Sequence, residues 1–230
     1  MRTGQYAKYG RGLWGIIGLL VISTKVNKVN IKSDVILMRK QEMLTIMNKF
    51  NEAWEYLKEN EGGYNNIKED KGGATKYGIS LRFLKGLKYD EGDINRDGQV
   101  DIRDIQGLSE EEAKALFKTH FWDAAKCDEL KYDKIAIKVF DLRVNFGVKR
   151  GIRILQTAIN KMHNMNVLKM DGVFGPKTQE AVNKASEKQL MENIISISSA
   201  IYESITRNNP TQAKFLKGWI KRARRTPKIC

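Results

Sequence analysis

The strongest constraint on the fold is a loss of periodicity at Gly62. Before it, Phe50, Ala53, Trp54 and Leu57 recur at intervals of three and four, which predicts an amphipathic helix over residues 48–60. Gly62 and Gly63 supply the backbone freedom that ends a helix, and Gly72, Gly73 and Gly78 follow within sixteen positions. So many glycines imply tight turns, which let the chain fold back beside the helix end.

That geometry singles out three polar residues. Glu61 falls at the negative pole of the helix macrodipole, which disfavours a carboxylate there. With partial burial this raises its pKa, as a general acid near neutral pH requires. Asp70 follows nine positions later and Thr75 five after that. A protonated and an ionised carboxyl on opposite sides of a sugar linkage are what a glycosidase needs, and Glu61 with Asp70 could supply them. The plainer alternative is an exposed Glu and Asp flanking a glycine-rich loop.

Residues 81–89 read as a short amphipathic helix. The loop from Asp93 to Asp104 then follows an EF-hand-like pattern, with Asp93, Asn95, Asp97 and Asp101 at donor positions one, three, five and nine. Gly98 occupies the turn position, Gln99 would offer its carbonyl at seven, and Asp104 stands where a bidentate Glu is usual. A structural calcium and an ion-free loop of Asx-turns both remain open. Ser109 with Glu112 forms a capping box that opens a helix towards His120. Trp122, just after it, is either a cleft wall or a core residue.

Ile135, Val139, Phe140 and Leu142 mark a further helix. Beyond it, Asp171-Gly172 and Gly175-Pro176 read as a turn leading into another helix, with Pro176 at its first turn. The apolar positions Ala181, Val182, Ala185, Leu190, Ile194, Ile197, Ile201 and Ile205 continue that helix, with room for a break. Pro210 ends it, Thr211 is placed to cap a last one, and Arg222, Arg224, Arg225 and Lys228 form a basic tail.

The stretch Glu61-Gly-Gly-Tyr64, followed by Asp70-Lys-Gly-Gly-Ala-Thr75-Lys-Tyr77-Gly-Ile-Ser80, resembles the N-terminal signature of glycoside hydrolase family 108. These are bacterial and phage lysozyme-like muramidases, and the resemblance extends over roughly residues 47–205. It implies that Glu61 is the catalytic acid. The order Glu, Asp, Thr also resembles the triad of phage-type lysozymes, with the Asp70-to-Thr75 gap one residue short of that pattern. Tyr64, Tyr77 and Trp122 become candidate cleft walls. The segments around Leu155, Gln156, Asn160 and Asp171–Thr178 resemble a predicted peptidoglycan-binding domain that accompanies this family; a helical subdomain that only completes the core is the alternative.

The expected architecture is mainly α: a lysozyme-like α(+β) catalytic region packed against a helical peptidoglycan-binding subdomain. The expected divisions are an extension at 1–46, a catalytic domain at 47–132, a binding domain at 133–207, and a basic helix and tail at 208–230. Residues 2–11 are basic and 13–22 apolar, which suits a weak export signal or anchor; an over-long start is the third reading. Phage-encoded host lysis is a further route to the wall.

The net charge of +14 sits at the ends: seven basic and no acidic residues from 214 to 230, but fourteen basic against eighteen acidic from 48 to 132. Basic ends suit a polyanion, whether a wall polymer or an anionic membrane surface. Nucleic acid is disfavoured, because no recognition helix or base-stacking motif accompanies the charge. His120 and His163 are too few and too far apart for a zinc hydrolase, and nothing around Cys127 marks a nucleophile. The leading expectation is a monomeric, endolysin-type muramidase that requires no cofactor. The alternative is a catalytically weak wall-binding or secretion-accessory protein.

Overall fold

The computed structural model describes residues 28–61, 68–70 and 73–228. It divides into two compact units, Met1–Met47 and Asn48–Cys230. In the first, Val35, Ile36, Leu37 and Met38 are exposed along a helix. The apolar run at 13–22 lies outside the described residues.

Helix α1 spans Lys28–Glu61 and so begins well before its apolar stripe does. Extending a helix that packing has already nucleated costs little per residue, so the stripe marks what is buried rather than where the helix starts. Three short antiparallel strands follow: β1 (Lys68–Asp70), β2 (Gly73–Lys76) and β3 (Ile79–Ser80), in that order across the sheet. Tyr77 (φ 51°) and Gly78 (φ 76°) both take left-handed backbone between β2 and β3, the two-residue turn whose twist suits a hairpin.

The single helix expected at 81–89 is two. Helix α2 (Leu81–Lys85) is capped by Ser80, which accepts from the Phe83 amide, and Gly86 closes it; α3 (Tyr89–Gly92) follows. Helix α4 (Ile102–Gly107) opens on a capping box of Asp101 with Asp104, and α5 (Glu110–Phe117) on the expected box of Ser109 with Glu112. A π-helical turn, Lys118–Trp122, carries α5 onward.

Helix α6 (Asp133–Phe146) and helix α7 (Val148–His163) meet at Gly147. Helix α8 (Pro176–Lys184) begins on its proline, and the break before α9 (Glu187–Asn208) falls at Ala185, where Ser186 caps the new helix through the Gln189 amide. Thr211 does not cap the last helix. It lies in a 3-10 turn, Pro210–Gln212, donating to Asn209 Oδ1 at 2.6 Å, and α10 (Ala213–Arg224) starts beyond it.

The core of the second unit is aromatic. Phe50 meets Trp122 at 5.5 Å and Phe140 at 5.9 Å between ring centroids, and Trp54 meets Phe117 at 5.6 Å. These contacts join α1 to the π-helical turn and to α6. At the edge of this cluster the Lys49 ammonium pairs with Asp133 at 2.7 Å, and Lys58 reaches Glu110 at 3.2 Å. Among the described residues the fold is mainly α with one small sheet.

Candidate functional site

Glu61 is the last residue of α1, so its backbone lies at the helix C-terminus. Tyr64 lies outside the described residues. The sheet register pairs Asp70 with Gly73 and Lys68 with Thr75. Partners across a ladder share a face, and so do alternate residues, so Asp70 and Thr75 belong to one face. The other face carries Ala74 and, through its pairing with Lys76, Ile79; both are buried. The sheet is thus seated on the core by Ala74 and Ile79. Lys76 fixes the sheet to α4 by donating to the Gln106 carbonyl at 2.7 Å.

Tyr77 is half-buried at the hairpin turn, with the Lys76 ammonium 5.5 Å from its ring centre. Trp122 is not a cleft wall. Its side chain has no exposed surface, its ring sits among Phe50 and Phe140, and its indole N–H donates to Asp128 at 2.8 Å. The π-helical turn rotates it inward, where a large ring gains most from burial.

In the Asp93–Asp104 loop the carboxylates hold the backbone. Asp93 accepts from the amides of Asp97 and Gly98 at 3.1 and 2.9 Å, Asp97 from that of Gln99 at 3.0 Å, and Asp104 from those of Asn95 and Asp101 at 3.2 and 2.7 Å. The Asn95 side chain also accepts from the Asp97 amide at 2.9 Å. A cation already lies among them: the Arg103 guanidinium contacts Asp97 and Asp101, each at 2.9 Å. That contact, with the Arg103 amide, holds the Asp101 carboxyl below its usual range. The donor types suit calcium, and Arg103 contacts two of the carboxylates an ion would use. Among the described residues no three His, Cys, Asp or Glu side chains converge as a metal-holding group.

Arg222 and Arg225 of the basic tail are anchored. Arg222 pairs with buried Asp141 at 2.9 Å, and the Lys138 ammonium donates to the carbonyls of Arg222 and Arg225 at 3.2 and 3.1 Å. Arg225 then lies over the Tyr56 ring at 4.5 Å and pairs with Glu59, and the Tyr56 hydroxyl donates to the Arg225 carbonyl at 2.8 Å. The chain end is therefore fastened to the last turns of α1, which end at Glu61. Pairings across 169 positions leave no local pattern, so sequence reasoning missed them. Cys127 is fully buried, and burial pushes its thiol pKa well up, which removes it as a nucleophile.

Both halves of the described structure have recognisable relatives. Residues 54–147 match the family model of glycosyl hydrolase 108, and residues 150–224 match that of a predicted peptidoglycan domain. The fold is similar to that of Brucella abortus SagA, at 24% identity and a TM-score of 0.59, over 77% of this chain and 90% of that one. A comparison with curated proteins found no match. The class is thus a glycoside hydrolase acting on peptidoglycan. Residues 54–147 are similar to glycosyl hydrolase 108, and a stretch similar to a predicted peptidoglycan domain follows them. These domains place its work at the cell wall or envelope; no helix among the described residues is long and apolar enough to cross a membrane.

Proposed function

We propose that the chain is an endolysin-type muramidase in which Glu61 is the general acid. The observation that carries this reading is the position of Glu61 as the last residue of α1, ahead of a sheet whose register puts Asp70 and Thr75 on one face. At that pole the backbone carbonyls favour a protonated carboxyl over a carboxylate. Glu61 donates its proton to the glycosidic oxygen as the C1–O bond breaks. The Asp70 carboxylate stabilises the positive charge that develops on the sugar ring, and water adds at C1, oriented by Thr75, its surplus proton returning to the Glu61 carboxylate and restoring the acid. Tyr77 borders the sugar site from the hairpin turn.

In the proposed division of labour the region that includes α7 to α10 holds the wall while the α1–sheet region cuts it. The test is the clearing of purified cell walls by the wild type and by Glu61→Gln. The substitution should reduce clearing by about 100-fold or more, the size of effect a positioned acid supplies. Equal clearing would remove Glu61 from the mechanism and favour a wall-affinity or accessory protein.

A further inference from the structure

The loop between α7 and α8, residues 164–175, has neither helix nor strand, yet it is held firmly. Gln156, 1% exposed, donates through Nε2 to Asp171 Oδ1 at 2.9 Å and to the Val173 carbonyl at 3.1 Å, and its Oε1 accepts from the Gly172 amide at 2.9 Å. Asn160 does the same for the first part of the loop, exchanging two bonds of 2.8 Å with the Leu168 backbone. Gly172 (φ +77°) lies so close to α7 that an added Cβ would meet the Lys149 carbonyl oxygen at 2.5 Å.

On this fixed frame Leu168 and Phe174 pack inward, but four other apolar side chains point the wrong way for a core. Met165, Val167, Met170 and Val173 are 66%, 45%, 48% and 59% exposed. Val167, Val173 and Pro176 line a groove of about 500 Å3 together with Lys169, Lys177 and Asp171. Four exposed apolar residues within nine positions, on a loop already ordered by buried amides, mark a binding surface more than a packing fault. Asp171 presents a carboxylate here: bonds from Gln156 and the Val173 amide hold its pKa below the usual range.

No aromatic ring lines this groove, so it lacks the flat face on which a sugar stacks. Its chemistry is aliphatic walls, two ammonium groups and one carboxylate. A short peptide with alanine methyls, free carboxylates and a side-chain amine matches each element: methyls against Val167, Val173 and Pro176, carboxylates at Lys169 and Lys177, the amine at Asp171. We propose that the groove binds the stem peptide of peptidoglycan, so that this half holds the wall by its peptides while the other half acts on its glycan. The inference rests on the peptidoglycan reading of residues 150–224 and not on the role of Glu61.

A free synthetic stem pentapeptide, which has no glycosidic bond, tests it by titration against the full chain. The wild type should bind saturably, and Val173→Asp and Lys177→Glu should each weaken binding by about tenfold or more, at the scale of one lost apolar or charged contact. Both positions face solvent, so the variants should melt with the wild type and cleave stem-free glycan equally well. Absence of saturable peptide binding by the wild type, or variants that bind as it does, would overturn the proposal. So would binding to glycan strands stripped of peptide as tight as to intact sacculi. Glu61→Gln should keep full peptide binding, so failure of the catalytic reading is separately visible.

Discussion

Replacing Asp141 by Asn keeps its volume and removes one charge from the interior. Asp141 and Lys138 are 2% and 1% exposed, their charged atoms 3.6 Å apart, and Arg222 Nε reaches Asp141 at 3.0 Å. Taking one partner from a buried pair leaves the other uncompensated, which costs about 3–5 kcal/mol. For a domain of this size each kcal/mol lowers Tm by about 2–4 °C, so thermal melts should show a loss of about 6–20 °C. The pH dependence makes the test specific. Burial lowers the Lys138 pKa, and Asp141 opposes that shift.

In the variant the opposition is gone, so Lys138 loses its proton at lower pH. Between its folded value and 10.5 the unfolded chain binds more protons, and stability rises with pH. The variant enters that window before the wild type does. Its deficit should therefore narrow once the pH passes the variant's lowered Lys138 pKa, and stop narrowing once Lys138 of the wild type also deprotonates. Adding Lys138→Met should recover part of the loss, because the buried ammonium is gone while Arg222 and the two carbonyls that Lys138 bonded still lack those partners. A deficit below about 1 kcal/mol, the worth of an exposed pair, would refute the reasoning. So would a deficit that is the same at every pH.

Further outcomes follow from other sites. Trp122→Ala should destabilise the fold by about 3–5 kcal/mol, as expected for emptying a buried ring site, and a loss of only substrate affinity in urea melts and kinetics would return Trp122 to the cleft. Gly172→Ala should cost more than about 1 kcal/mol through its positive φ and the approach to Lys149, as read by chemical denaturation. Calcium at 10 mM should stabilise the protein by about 1.4–2.7 kcal/mol if the Asp93–Asp104 loop has the affinity of extracellular EF-hand-type modules. Asp93→Ala should abolish that gain, and an unchanged Tm in the wild type would leave the loop to Arg103 alone.

Much of the fold was legible because local chemistry decided it. The stripe of Phe50, Ala53, Trp54 and Leu57, the Ser109–Glu112 box and Pro176 each act within a turn or two, and each appears where the pattern put it. Gly86 was legible only in part: it splits the helix expected at 81–89, since the apolar positions continue past it in α3's neighbourhood. Trp122 was ambiguous because the change from α to π winding, which sets its direction, leaves no mark in the spacing. The fastening of Arg222 and Arg225 to Asp141 and Tyr56 was invisible, as any run of arginines looks like a solvated tail until its distant partners are placed. At the site, the sequence gives residue types and order, and the register adds that Asp70 and Thr75 share a face.

The central claim is most directly measured by counting new chain ends released from purified peptidoglycan. Cleavage led by Glu61 should produce reducing sugar ends with no matching rise in free amino groups, and Glu61→Gln should lose that release while retaining wall binding. Free amino groups appearing without reducing ends, or undiminished reducing ends from Glu61→Gln, would contradict it.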